Sequence, residues 1–563
     1  MISFVLGVTG HRTLPASDLV KITDNVRKQL VRLQGLMPDT RIVVASALAE
    51  GADRLVADVA LKEGFEVWAV LPTEADEYEK DFVTDGSRNE FHLLLGNSTR
   101  VLNASTLSGC DSGSADRPRI YVNVGNEICR LSHALLAVWD GHDSDKPGGT
   151  AQVIASYRTG RFDDAVRTGL AFPDCGMVFH VPVKTETTAN LSEGLHHRML
   201  TPHLGDGGKP LLPGGENEFH RRFNAGLRSL NLFNRRCAEL KLKPDDKATE
   251  LLPLTFSWRK DAVLADWLSL YAVADADSYS AMKRRHRSLV TVVALFALSM
   301  MATLLYGGLI TESYWPLLLG VGLLGAAYLV FRSHSNAEDD EIWIRYRALA
   351  EFLRVAISWR ACGLQEPIHY VIADEQILPV DWLGMAARWI DNESRITLPP
   401  KPSKESVETV SSHWIDGQID YFSGSKNKID HHGKKAKKFG RATGAFIGLA
   451  IVVDVLTMML DHTLSNHGRD FALQVTAWTM YGYWALLSLS AVVAAYSGIM
   501  AHAEHESEYS YALVKFRLAQ AALSNALDSE ARRDLLIKLG KSALRETASW
   551  VRLHLGRPLR LPF

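Results

Sequence analysis

Cysteine is scarce: five residues, Cys110, Cys129, Cys175, Cys237 and Cys362, in a chain of 563. No two form C-x-x-C, so neither a zinc ribbon nor a disulfide framework is supported. A reducing compartment is the simplest setting for the soluble part. Net charge is nearly absent too. Lys and Arg number 62 against 64 Asp and Glu, leaving −2, so nothing global asks for nucleic acid as a partner. No charged segment followed by an apolar one and a cleavage site opens the chain, so no signal peptide is expected. Clustered metal ligands are lacking. His196 and His197 have no evident third partner, and His502 and His505 make a weak helical pair, so no metal is expected. The length suits roughly three to four domains.

Charge is also missing from long runs. Residues 289–310 and 315–331 carry none, and Thr311-Glu312-Ser313-Tyr314 joins them. Each run is long enough, the second barely, to cross ~30 Å of hydrocarbon at ~1.5 Å per residue. Residues 442–460 are apolar except Asp454, and 471–501 are uncharged. The expectation is four spans in two hairpins. Lys283-Arg284-Arg285-His286-Arg287 precedes the first run, Arg332 follows the second, and Lys434, Lys435, Lys437, Lys438 and Arg441 precede the third. The two short connections hold only Arg469. Basic flanks face the cytoplasm, so the N-terminal region, the middle segment and the C-terminus are expected there. A mid-span carboxylate costs ~2.5–3.5 kcal/mol. Asp454 therefore reads either as a pore-lining group or as an acid hydrogen-bonded to a neighbouring helix.

The first 185 residues alternate apolar runs and amphipathic stretches. Strands are expected at 2–8, 41–46, 65–71, 134–139 and 176–183, with a further one at Arg119–Val122. Helices are expected at 16–35, 51–63, 89–96, 126–133 and 149–160. The first carries Leu19, Ile22, Val26, Leu30 and Leu33 at helical spacing. This pattern predicts a Rossmann-like, doubly wound α/β domain with a parallel sheet, whose ligand sits at the carboxyl ends of the strands. Three strand ends carry chemistry. The first reads Gly7-Val8-Thr9-Gly10-His11-Arg12. The second runs from Ser46 through Glu50, Gly51, Asp53 and Arg54. The third holds Asp140 and Gly141, then Lys146-Pro147-Gly148-Gly149-Thr150. All three precede helices, whose N-termini attract anions. Glycine admits close backbone approach, and Arg12 and Arg54 suit charge-assisted bonds to phosphate. Arg54 has an alternative partner in Glu50 or Asp53 on its own helix. His11 reads as a ligand contact or as a cap of the following turn.

GVTGHR, SALAEGADRLVA, AVLP ending at Pro72, and KPGGTA, in that order, resemble the SLOG superfamily of LOG- and DprA-like Rossmannoid proteins. The resemblance covers about residues 1–185. It implies nucleotide binding, either to cleave an N-glycosidic bond or only to sense a signal. The enzymatic LOG group carries P-G-G-x-G-T-x-x-E. Here Thr150 follows Gly149 directly and Val153 stands where the glutamate belongs, so no catalytic residue is assigned, although Glu50 remains a carboxylate in the region.

Residues 186–255 read as a loop and a helix at 216–241, and 366–404 as a linker. Residues 256–365 and 405–563 each hold a hairpin with helices running in and out. Ala265–Tyr271 and Tyr346–Arg354 around the first hairpin, and His413-Trp414-Ile415 with Gln418–Phe422 before the second, resemble SLATT membrane effectors. Together the resemblances imply a sensor of a nucleotide or cyclic ADP-ribose-type signal made by a separate enzyme. On binding it would homo-oligomerise in the bacterial inner membrane and open a pore or disrupt the bilayer, as in antiviral abortive infection. A membrane-anchored nucleotide hydrolase and a nucleotide-gated ion channel are the alternatives.

Overall fold

The computed structural model describes residues 1–109, 116–144, 146–162, 175–184, 198–204, 209–210, 215–240, 251–253, 255–256, 261–308, 313–334, 341–375, 381–399, 401, 403–460, 466–499, 502–526 and 528–555. His196 and His197 lie outside them. The chain forms two compact units. The first joins Met1–Ala274, Ala348–Glu408 and Leu536–Trp550, and the second joins Asp275–Arg347, Thr409–Leu535 and Val551–Phe563.

In the first unit the expected alternation appears. In chain order come β1 (Phe4–Gly10), α1 (Leu19–Leu36), β2 (Ile42–Ser46), α2 (Ala52–Lys62), β3 (Glu66–Leu71), α3 (Ala75–Tyr78), α4 (Asp85–Gly96), β4 (Arg100–Asn103), α5 (Ala104–Ser108), α6 (Arg117–Leu131), β5 (Ala134–Trp139), α7 (Thr150–Thr159), β6 (Met177–Pro182), β7 (Arg198–Leu200) and α8 (Gly215–Leu240). The sheet order is β4-β3-β2-β1-β5-β6-β7. β1 to β6 pair in parallel and β7 closes the edge antiparallel. β2 and β5 are buried at every position, as strands covered on both faces must be. The chain moves outward from β1 to β4, then returns to lay β5 on the other edge of β1. The direction of winding therefore reverses between β1 and β5, where ligands of such sheets bind.

Four expectations change. Arg119–Val122 is not a strand. Asp116 accepts a hydrogen bond from the Arg119 N–H, Pro118 stands in the first turn, and Ile120, Val124 and Ile128 are buried at helical spacing, so α6 starts at Arg117. β4 was hidden because only Leu102 of its four residues is buried. Leu19 is exposed, while the other four marked residues of α1 are buried. The segment 366–404 is no linker: it holds helices Ile368–Asp374 and Trp382–Ile396. The second carries Trp382, Met385, Ala386 and Trp389 buried, and Ile396 packs on the sheet core. Its polar residues bond to α6 and its neighbours. Arg388 donates to the Ser132 carbonyl, Asn392 to Leu131 O at 2.8 Å, and Arg100 forms a two-pronged pair with Glu393 at 3.0 Å.

The second unit is helical. Among the described residues three helices are long and apolar enough to cross a membrane: Ala262–Tyr306, Trp315–Ser333 and Gly433–Thr457. The fourth expected span, 471–501, falls in the helix Asn466–Ile499 and runs over residues outside the described ones. Small residues let the first pair approach. Ser299 donates to Gly320 O at 2.6 Å, and a Cβ on Gly320 would meet Thr303 Oγ1 at 2.8 Å. In the second pair Thr479 donates to Asp454 Oδ1 at 2.5 Å, and Thr457 and Thr476 bond at 3.2 Å. Asp454 therefore has a hydroxyl partner on the neighbouring helix.

Candidate functional site

β1, β2 and β5 deliver their three loops to the switch point. Gly7 and Thr9 stay inside β1. A Cβ on Gly7 would meet Ser132 Oγ at 2.2 Å and Ile128 Cγ2 at 2.9 Å, so that glycine serves close packing of α6 on the sheet. Gly10 is pressed between Ala52, 2.4 Å from the same added atom, and the Val138 carbonyl. His11 then bridges the loops. Its N–H donates to Val138 O at 3.1 Å and its carbonyl accepts from Ala52 N at 3.0 Å. Its Nε2 accepts from the Asp140 N–H at 3.1 Å and lies 3.1 Å from Asp140 Oδ1. The Asp140 carboxylate also accepts from the His142 N–H at 3.1 Å.

Gly51 caps α2 with φ +85°. A Cβ there would stand 2.1 Å from the Arg12 carbonyl oxygen. Side chains strain that region, and backbone has no rotamer with which to yield. Gly51→Ala should cost about 2–3 kcal/mol and displace Arg12. Denaturant midpoints of the full chain check it, and an unchanged midpoint would refute the close approach.

The second loop divides in two. Ser46 is buried, donates to Asp53 O at 3.1 Å and accepts from the Leu48 N–H. Arg54 is not at the crevice surface. It is 2 % exposed, donates to Leu48 O at 3.0 Å and to Ser87 O at 2.8 Å, and pairs with Glu90 at 3.0 Å. Phe82 lies under its guanidinium at 4.3 Å. It pairs with Glu90 of α4, not with Glu50 or Asp53. Its Nη2 is buried with no hydrogen-bond partner among the described residues. The Glu50 carboxylate accepts from the Ser87 hydroxyl. Asp53 is buried, and burial pushes its carboxyl up to about 7, although the Ala49 and Ala47 N–H groups, Arg12 and Arg54 all favour the anion. Pro72 is buried and its carbonyl accepts from Ser105 at 3.0 Å.

Arg12 is an exposed cation of the site, as is Lys146 of the third loop. The Arg12 guanidinium stands 5.0 Å over the Tyr121 ring. Burial disfavours its charge, but the Tyr121 hydroxyl, Tyr78 and Asp53 outweigh that and raise its pKa. Tyr121 donates to Asp81, and Arg117 joins Asp81 to Glu77, 2.8 Å from the latter. Burial, then Asp81, raises the Tyr121 pKa. Sequence reasoning missed Tyr121, Asp81 and Arg117. They lie on α6 and between β3 and α4, and no local motif marks them.

In the third loop Gly141 and Gly148 have φ +85° and +70°. A Cβ on Gly148 would meet the Tyr121 backbone at 2.9 Å. Gly148 N donates to Gln152 Oε1 at 2.6 Å. Gly149 caps α7, and Thr150 is its first residue. α2 and α7 start at glycine with no side-chain cap, whereas α4, α5 and α6 are capped by Thr84, Asn103 and Asp116. Side-chain capping normally satisfies first-turn N–H groups.

A cavity of about 290 Å³ lies elsewhere in this unit, lined by Glu127, Arg130, His369, Tyr370, Asp391 and Arg395 among others. Its charged groups bond to one another: Glu127 with Arg130 at 2.8 Å and Arg395 at 2.5 Å, and His369 with Asp391. Among the described residues no group of three or more His, Cys, Asp or Glu is placed to hold a metal ion. Compared with family models, curated proteins and solved structures, the chain matches none.

Proposed function

We propose that this protein is a membrane-embedded effector that senses a nucleotide-derived signal at the β1–β5 switch point. The observation that carries the reading is the convergence of Arg12 with the glycine-capped starts of α2 and α7 at that point. Phosphates suit helix N-termini joined by a cation, and the Tyr121 ring beside Arg12 suits a base or sugar face. The apolar helices in the same chain support a membrane output. Residues 471–501 complete a fourth span in this reading. A ligand that favours an open assembly by differential affinity shifts the population towards it. Asp454, bonded to Thr479, acts as a hairpin clasp rather than as a pore-lining group.

The test is dye release from proteoliposomes on addition of cyclic nucleotides and ADP-ribose derivatives. The ligand is first sought by mass spectrometry of small molecules that copurify with the protein. Arg12→Ala should weaken binding about 10- to 100-fold, the equivalent of one or two charge-assisted bonds, and abolish release without lowering the melting temperature. Binding with no leakage in any assembly state would end the pore reading. Nucleotide cleavage lost in Glu50→Gln would favour the hydrolase.

A further inference from the structure

We propose that the basic turns just before the apolar runs of two long helices form a collar at the cytoplasmic face that binds the headgroups of anionic phospholipids; this rests on the membrane-spanning reading. Lys283, Arg284 and Arg287 are exposed on the helix Ala262–Gly308, immediately before its apolar run. Lys434, Lys435, Lys438 and Arg441 are exposed on the helix Asp416–Leu460, immediately before the other. Acids are segregated from both clusters. None stands between Asp277 and Glu312, or between Asp430 and Asp454.

The contrast with neighbouring cations is informative. Arg345 pairs with Glu341 at 3.0 Å, and Arg347 with Asp275 at 2.9 Å. Among the described residues no carboxylate pairs with Lys283, Arg287, Lys434, Lys435, Lys438 or Arg441. Lys283 instead lies 4.2 Å over the Tyr279 ring. At ~1.5 Å per residue, Lys434 to Arg441 covers about 10 Å of helix axis. That matches a headgroup layer of ~5–8 Å plus the first hydration layer, and lies within the ~8–10 Å over which surface charge is felt. A solvated basic face would show no lipid preference, whereas cations held at headgroup depth select anionic lipids.

The test reconstitutes the full chain in vesicles of phosphatidylcholine and phosphatidylglycerol at about 7:3, confirms insertion by flotation, extracts it mildly and counts the retained lipids by mass spectrometry. The collar predicts phosphatidylglycerol enriched about threefold over the bulk ratio. Changing Lys434, Lys435, Lys438 and Arg441 together to Gln should return that ratio to near bulk. Should that variant fail to insert, the pair Lys283→Gln and Arg287→Gln should still lower the enrichment. Equal enrichment in wild type and inserted variants, or none in wild type, overturns the collar. A wild-type chain that does not float overturns the membrane reading as well.

Discussion

Glu127→Gln should destabilise the first unit by about 3 kcal/mol. The Glu127 carboxylate has no exposed surface and holds two arginines, Arg130 at 2.8 Å and Arg395 at 2.5 Å. Both arginines are mostly covered. Breaking a buried pair from one side leaves charge without its counter-ion, which costs about 3–5 kcal/mol. Residual solvent around Arg395 sets the expectation at the low end. At ~2–4 °C per kcal/mol for a unit of this size, the melting temperature should fall by about 6–12 °C. Arg395→Met added to Glu127→Gln should cost about 1–2 kcal/mol less than the two single changes together, because the second change removes a charge the first has orphaned. A fall of under 2 °C in Glu127→Gln would mean that water already screens the trio.

The second large effect is a pair of opposing pH dependences. Asp53 titrates near 7 in the folded chain, against an ordinary value of 3.8, because of burial. Its folded value is raised. Its contribution is therefore fully present below pH 3.8 and is lost as pH rises through 7, by about 4 kcal/mol over the window. His133 moves oppositely. Burial is the main cause that holds it at about 3, against 6.5. Both its ring nitrogens are committed: Nδ1 accepts from the Val5 N–H at 2.9 Å and Nε2 meets the Met385 carbonyl at 2.9 Å. A second ring proton would face the Val5 donor. The stability from neutral His133 is present above pH 6.5 and lost as pH falls towards 3, by roughly 4–5 kcal/mol. In wild type the two slopes largely cancel between pH 4 and 7. Asp53→Asn should unmask the His133 slope. The variant should gain up to about 4 kcal/mol over wild type above pH 7 and match it near pH 4. Denaturant midpoints against pH in detergent measure this, and a difference constant from pH 4 to 8 would sink the assignment.

Much of the first unit was legible because its signals are local. Continuous apolar runs marked β1, β2, β3, β5 and β6, and helical spacing marked α1. β4 was hidden because its buried face is one residue. α6 was misread because Ile120-Tyr121-Val122 is β-like in composition, while its Asp116 cap and the tertiary burial of Ile120 decide for helix. In the candidate site the backbone was legible where glycine reports it, at Gly10, Gly51 and Gly148. It was not legible where long-range packing decides. Arg54 looked like a phosphate ligand and is tied to Ser87 and Glu90, more than 30 residues away. The helix Trp382–Ile396 looked like a linker because its buried polar residues, Arg388, Asn392 and Glu393, resemble a solvent-facing pattern until their partners on α6 and β4 are known.

The first unit draws on three separated stretches of chain, and this sets an order in time. After Ala274 the ribosome must add about 260 residues before Leu536 emerges, roughly 13–50 s at ~5–20 residues per second. All the apolar runs leave the ribosome in that interval. Gly540 has its place waiting: a Cβ there would stand 2.4 Å from the Trp359 ring, and Trp359 Nε1 donates to Leu536 O at 3.0 Å. A nascent sheet unit therefore carries an unfilled seam while the apolar runs are being made, and the helix Ser529–Leu555 closes it only after they have passed.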